Sequence, residues 1–201
     1  MSASVLPRAV RHLVLGAAAI AAAAGSAGAQ PSPDEQAVAS YTLTMPGMRK
    51  AGTATERMLE LILRDEGLAR ELETLAQEED ESEAQSIGDI VAAYDRMPKL
   101  KGAITGAGLT VREYVVMQLA MMQAAMVVGF QDPENTGKEI TIPDGVSKAN
   151  VAFVRSNWGE LQRMGARMQA LQQELESRAA SADEEPVEEP EEEPEAAEEP
   201  R

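Results

Sequence analysis

Residues 109–130 read LTVREYVVMQLAMMQAAMVVGF, and this stretch decides the fold. Its first residues carry a strong helix-start signal. Thr110 and Glu113 have the spacing of a capping box, and Leu109 and Tyr114 occupy the two positions of a hydrophobic staple around it. The pattern therefore predicts that a helix begins at residue 111.

The predicted helix runs to about residue 130 and carries apolar side chains on nearly all of its sides. Such a helix is typical of the middle of a bundle. Gln118 and Gln123 interrupt the apolar runs, which are much shorter than the roughly 20 residues that span a bilayer. We expect a core helix rather than a transmembrane helix.

Further helix-start signals recur on both sides of this stretch, and the apolar spacing between them is helical. The predicted fold class is all-α, a compact bundle of five to seven helices around residues 111–130. A long C-terminal helix over residues 147–177 is expected to pack across the central one. The predicted N-caps are Ser32, Thr44, Asp65, Ser86, Thr110 and Ser147.

Residues 131–146 contain two prolines and two glycines, so they are predicted to form a surface crossover instead of a helix. Ile140 and Ile142 alternate with polar neighbours. This alternation is typical of a brief strand.

The first 29 residues have the three-part layout of a secretory signal peptide. Arg8 and Arg11 precede an apolar stretch at 13–24, and Ala27 and Ala29 fit a cleavage site. We expect cleavage after Ala29 and a periplasmic or secreted protein. The alternative is an uncleaved anchor, but the apolar stretch is shorter than a bilayer span.

The formal charge of −16 lies mostly at the C-terminus: the signal contributes +2, residues 179–201 contribute −10, and residues 30–178 contribute −8. We predict a helical domain over 30–178 and a disordered Pro/Glu-rich tail over 179–201. The tail is interpreted as a solubilising extension or as an acidic arm for cations or a basic partner. The acidity disfavours nucleic acid as a partner.

Removal of the signal peptide also removes His12, which is the only histidine, and the chain has no cysteine. No disulfide can form, and most familiar catalytic and metal chemistry is excluded. We therefore predict neither catalytic residues nor a cofactor. An enzyme that uses carboxylates alone remains an alternative. Ser147 and Lys148 are adjacent, so they lack the spacing of a nucleophile pair on one helix face.

Four methionines lie within ten residues, and the pairs Met117/Met121 and Met122/Met126 each share a helix face. Thioethers can bind Cu(I). The two pairs point about 100° apart on a helix that is already apolar, and methionine is an ordinary filler of cores. We expect packing rather than a metal site.

Residues 132–137, DPENTG, resemble the opening of a calcium-binding loop, with oxygen ligands at alternate positions and glycine sixth. The twelfth position is Pro143 instead of the glutamate that an EF-hand requires. We expect a plain turn.

Three stretches are similar to a family of small exported helical proteins of bacteria for which no activity is known. They are YTLTM at residues 41–45, GLTVREYV at 108–115 and NVAFV at 150–154. The resemblance implies no activity and no functional residues.

The sequence favours a non-enzymatic interaction module of the envelope, because it lacks common catalytic residue types and has an overlong final helix. Its partner would be an envelope protein. The alternative is a carrier of a small apolar ligand in a methionine-lined pocket, with residues 131–146 as a lid. No stable membrane span is expected after cleavage, and the oligomeric state is left open.

Overall fold

The computed structural model describes residues 31–78 and 86–182, and the secondary structure of this part is entirely helical. The predicted all-α fold class is confirmed. The predicted signal peptide, most of the acidic run after residue 78 and residues 183–201 lie outside the described residues. The eight helices of the described part are α1 (Pro33–Ser40), α2 (Met45–Arg64), α3 (Glu66–Glu78), α4 (Ile87–Arg96), α5 (Pro98–Gly106), α6 (Val111–Gln131), α7 (Lys148–Ser156) and α8 (Trp158–Ala182).

The predicted N-caps form as the sequence indicates. Each cap side chain accepts a hydrogen bond from a backbone N–H three residues further on, which pairs a donor that the helix itself leaves free. At Ser32 and Ser86 the reciprocal bond of the capping box is also present. The caps are Ser32, Thr44, Asp65, Ser86, Thr110 and Ser147.

The capping box predicted at the start of α6 is only half formed. Thr110 Oγ1 accepts from the Glu113 N–H at 3.1 Å, but no return bond from the Glu113 carboxylate joins this cap in the described residues. The pKa of the Tyr41 hydroxyl is raised, first by burial and second by the negative charge of the Glu113 carboxylate. The predicted staple residues Leu109 and Tyr114 are both buried.

Helix α6 is central, as predicted, and contacts α1, α2, α4, α5 and α7. Its first half includes a small hydrogen-bonded network whose tyrosine and threonine hydroxyls are buried. The Tyr114 hydroxyl lies 2.8 Å from Thr55 Oγ1 and accepts from Gln118 Nε2 at 3.2 Å. The rings of Tyr94 and Tyr114 pack in a T-shaped arrangement. These bonds allow a phenol and a threonine hydroxyl to be buried without unpaired polar atoms.

In the part of the chain that the structure describes, α6 is the one helix long and apolar enough to cross a bilayer. A core helix of a soluble protein passes the same test of length and composition. Half of the apolar stretch of α6 is buried inside the fold.

The segment predicted as one final helix over residues 147–177 forms two helices in the described part of the chain. Asn157 ends α7: its side chain donates to the Phe153 carbonyl at 2.8 Å, and its backbone leaves helical geometry. A new helix begins at Trp158 and continues to Ala182, past the predicted end of the domain at residue 178.

The two parts of this segment pack on different helices. Helix α7 packs on α6, whereas α8 packs mainly on α2. Two ion pairs join α2 and α8: Arg49–Glu160 at 2.8 Å and Glu56–Arg167 at 3.0 Å. The second pair lies seven residues further along both helices, so α2 and α8 run in the same direction. The prediction that one long helix packs across the central helix therefore holds for α7 alone.

Candidate interaction surface

The C-terminal half of α6 presents large apolar side chains to solvent. Phe130 is 81% exposed and Met126 is 49% exposed, and they are the large hydrophobic residues most open to solvent in the described residues. Met122 is half-buried and lies one turn earlier on the same face. A Cβ added at Gly129 would meet no atom within 4 Å, so the helix surface beside Phe130 is open. We call Met122, Met126 and Phe130 the α6 tip.

The structure separates the two predicted methionine pairs. Met117 is fully buried in the core, Met121 is half-buried, and Met122 and Met126 belong to the α6 tip. The described residues contain no group of three or more histidine, cysteine, aspartate or glutamate side chains that could hold a metal ion. Packing accounts for Met117, while the tip methionines form part of a surface.

The calcium-like sequence after α6 folds into a turn around the buried Asp132 carboxylate. Asp132 Oδ1 accepts from both the backbone N–H and the hydroxyl of Thr136 at 2.8 Å. Oδ2 accepts from the Gly137 N–H at 2.9 Å and from Arg155 Nη2 at 3.1 Å. Because four protein donors occupy this carboxylate, the alternating oxygen pattern is explained by the turn.

The electrostatics of the turn agree with this geometry. Burial acts to raise the pKa of Asp132, but the hydrogen bonds from Thr136 and Gly137 and the charge of Arg155 outweigh it and hold the pKa below its ordinary value. The carboxylate is therefore charged and fixed at neutral pH.

Residues 139–142 form a groove with α7. The side-chain amide of Gln131 donates to the Thr141 carbonyl at 2.6 Å and accepts from the Thr141 N–H at 2.7 Å, which holds this segment beside the end of α6. No strand forms in the described residues, so the brief strand predicted at Ile140 and Ile142 is wrong. The groove has a volume of about 430 Å³ and is lined by Glu139, Ile140, Ile142, Lys148, Val151, Ala152, Arg155 and Ser156.

Hydrogen bonds hold three aspartates, Asp65, Asp89 and Asp132, in their charged form. Hydrogen bonds from Lys99 and Leu68 lower the pKa of Asp65, and those from Ser86 lower the pKa of Asp89. A general acid in a carboxylate-only enzyme needs the opposite shift. Ser147 acts as the N-cap of α7.

Two of the three stretches that carry the family resemblance meet at Asn150, which is buried in α7. Its Oδ1 accepts from the Leu43 N–H at 3.0 Å, and its Nδ2 donates to the Tyr41 carbonyl at 2.8 Å. A side-chain amide thus pairs with an extended backbone segment, as Gln131 does with Thr141. Asn150, Leu43 and Tyr41 therefore have a structural role.

No family model, no curated protein and no solved structure matches this chain.

Sequence reasoning did not single out Phe130 or Arg155 as surface features. The apolar neighbours of Phe130 indicate the end of a core helix and give no sign of its exposure. The alternation of Ile140 and Ile142 was a usable signal for the groove, since it indicates an extended segment with one covered face. The ion pair between Arg155 and Asp132 joins residues 23 positions apart and has no local signature.

Proposed function

We propose that the protein is a non-enzymatic interaction module of the bacterial envelope, exported by a signal peptide that is cleaved after Ala29. The observation that carries this proposal is the exposed α6 tip. A phenylalanine that is 81% exposed beside a half-exposed methionine is costly to keep in water, and exposed apolar patches commonly mark interaction sites.

The surroundings of the α6 tip support a protein partner. Aromatic and methionine side chains are enriched at the centres of protein interfaces. The neighbouring turn is held by the Asp132 carboxylate and the Gln131 amide, so the tip extends from a fixed support. The partner would gain from burial of Phe130 above all, because it has the largest exposed apolar surface at the tip.

Site-specific photo-crosslinking in the cells that make the protein tests this proposal. A photoreactive phenylalanine analogue at position 130 is expected to give a cross-linked species of defined mass. The matched control carries the same analogue at Gly102 of α5, which is exposed and where an added Cβ meets no atom within 4 Å. Equal cross-linking at both positions, or none at position 130, would contradict the proposal.

The export step has its own test. The protein recovered from the envelope fraction should begin at Gln30, and the intact mass should be lower by the mass of residues 1–29. Recovery of the full-length chain in the membrane fraction would instead indicate an uncleaved anchor.

A carrier of small apolar ligands is the second candidate, and the groove beside α7 favours it. A volume of about 430 Å³ falls within the range of small-molecule sites. The lining includes Ile140, Ile142 and Val151 but none of the four α6 methionines, so the ligand would lie under the crossover. Native mass spectrometry of the protein from its own cells should then show a bound lipid or metabolite, and the ligand-free mass alone would count against a carrier.

A further inference from the structure

One edge of the extended segment at residues 139–142 is paired and the other is free. In an extended chain the N–H and C=O of one residue point to the same side, and successive residues alternate. Both groups of Thr141 bond to Gln131. The pairing of both Thr141 groups with one amide is the pattern of an extended residue, and in that conformation the backbone groups of Ile140 and Ile142 point away from Gln131. These groups have no hydrogen-bond partner among the described residues.

The free edge borders the groove, which has an apolar part formed by isoleucine, valine and alanine and a charged part formed by Glu139, Lys148 and Arg155. Ile140 and Ile142 are two residues apart, so their side chains lie on the same face of the segment, and both line the groove with Val151 and Ala152 of α7. An added strand that paired with the free edge would place every second side chain in this groove. Main-chain bonds and pockets for alternate side chains are the two components of peptide recognition by strand addition.

The charges around the groove select the peptide further. Arg155 is neutralised by its contact with Asp132. Lys148 is exposed and forms no ion pair in residues 31–78 and 86–182. A carboxylate on the peptide would therefore find an available cation at Lys148, whereas Glu139 would repel one on the opposite side.

We propose that this groove binds an extended peptide segment of a partner protein by strand addition to residues 140–142. The peptide has apolar side chains at alternate positions and a carboxylate that faces Lys148. This inference rests on the proposed function and specifies the chemistry of the partner.

A bead library of acetylated heptapeptides tests the proposal with the mature chain, residues 30–201. Positions 2, 4 and 6 carry valine, isoleucine or leucine, and the others carry any residue except proline and cysteine. We expect selected peptides to be enriched in aspartate or glutamate. In amide NMR spectra they should shift Ile140, Ile142 and Val151 more than Phe130. A library without binders, or shifts centred on Phe130, would overturn the proposal.

Backbone N-methylation of the best peptide, one position at a time, distinguishes strand addition from simple apolar binding. Methylation at every second position removes a donor to the free edge and should weaken binding about tenfold or more. Methylation at the intervening positions should have less effect. A uniform loss at all positions would contradict strand addition.

Charge reversal at Lys148 tests the orientation of the peptide. Lys148→Glu should weaken binding of the acidic peptide about threefold to tenfold. The variant should fold, because an acid in the first turn of α7 suits the helix dipole. Arg163→Glu, an exposed position on α8, makes the same change in net charge as a control. Equal effects of both variants would remove Lys148 from the site. Cross-linking at position 130 without peptide binding would remove this inference but leave the proposed function intact.

Discussion

The two halves of α6, residues 111–120 and 121–131, are both rich in apolar residues but differ in burial. In the first half, Val115, Met117 and Leu119 are buried, and the polar Tyr114 is buried with its partners. In the second half, Met126 and Phe130 of the α6 tip face solvent. Apolar composition alone therefore does not decide burial in this protein. The partner helices decide it: those packed around the first half leave one face of the second half open.

The largest expected effect is on stability, when one side chain in each half of α6 is shortened to alanine. Leu119→Ala should lower the free energy of unfolding by about 2–5 kcal/mol, because it leaves a cavity in the core. Phe130→Ala removes a larger side chain but should change stability by less than about 0.5 kcal/mol, since Phe130 is mostly exposed. Urea unfolding of the two variants measures both values. A similar loss for Phe130→Ala would mean that the α6 tip is buried in solution.

A smaller loss of stability is expected at the attachment of α7, which covers one side of α6. Asn150 of α7 bonds to the backbone of the segment that connects α1 and α2. Asn150→Leu removes the bonds to the Leu43 N–H and the Tyr41 carbonyl and should cost about 1–3 kcal/mol, because backbone groups are left unpaired. Gln36→Leu removes an exposed side-chain bond to the Pro31 carbonyl and serves as the control, with an effect near zero. Equal effects in thermal unfolding would show that the Asn150 bonds add nothing to the attachment of α7.

The hydroxyl network in the first half of α6 should contribute less again. Tyr114→Phe removes the bonds to Thr55 and Gln118, and we expect a loss of about 0.5–1.5 kcal/mol. Tyr41→Phe, at a half-buried hydroxyl outside this network, is the matched control. A double-mutant cycle with Thr55→Val should give a measurable coupling energy. Strict additivity would show that Thr55 and Tyr114 do not interact in solution.

The parts of this fold that the sequence predicted are local. The caps at Thr44, Ser86 and Thr110 bond to groups three residues away, so both partners stand in one short motif. The bond from Leu43 to Asn150 spans 107 residues, and no local pattern indicates it. The break at Asn157 was missed because the apolar spacing continues through it.

The candidate surface was harder to predict than the fold, for a physical reason. Exposure of Phe130 depends on which helices fail to cover it, and that is a property of the whole packing. The alternation of Ile140 and Ile142 is a local signal, and both side chains line the groove. The strand prediction failed because the bonds to Thr141 come from the Gln131 side chain, which no strand pattern represents.

The smallest expected effect is local and depends on pH. Because the pKa of Asp132 in the fold lies below its ordinary value of 3.8, the charged carboxylate stabilises the turn above that value. This stabilisation should disappear as the pH falls through the lowered pKa. The protection of the Thr136 and Gly137 amides from hydrogen exchange, relative to the intrinsic rate at each pH, should then fall before protection in the first half of α6 does.

Asp132→Asn separates this effect from general acid unfolding. The variant keeps an oxygen that can accept from Thr136, but the NH2 group that replaces Oδ2 cannot accept from Gly137, and the ion pair with Arg155 is lost. The turn amides of the variant should exchange faster than those of the native chain at neutral pH, and the difference should vanish in acid. If Leu119 lost protection together with the turn, the turn and the first half of α6 would unfold as one unit, and the difference in burial between them would not extend to their stability.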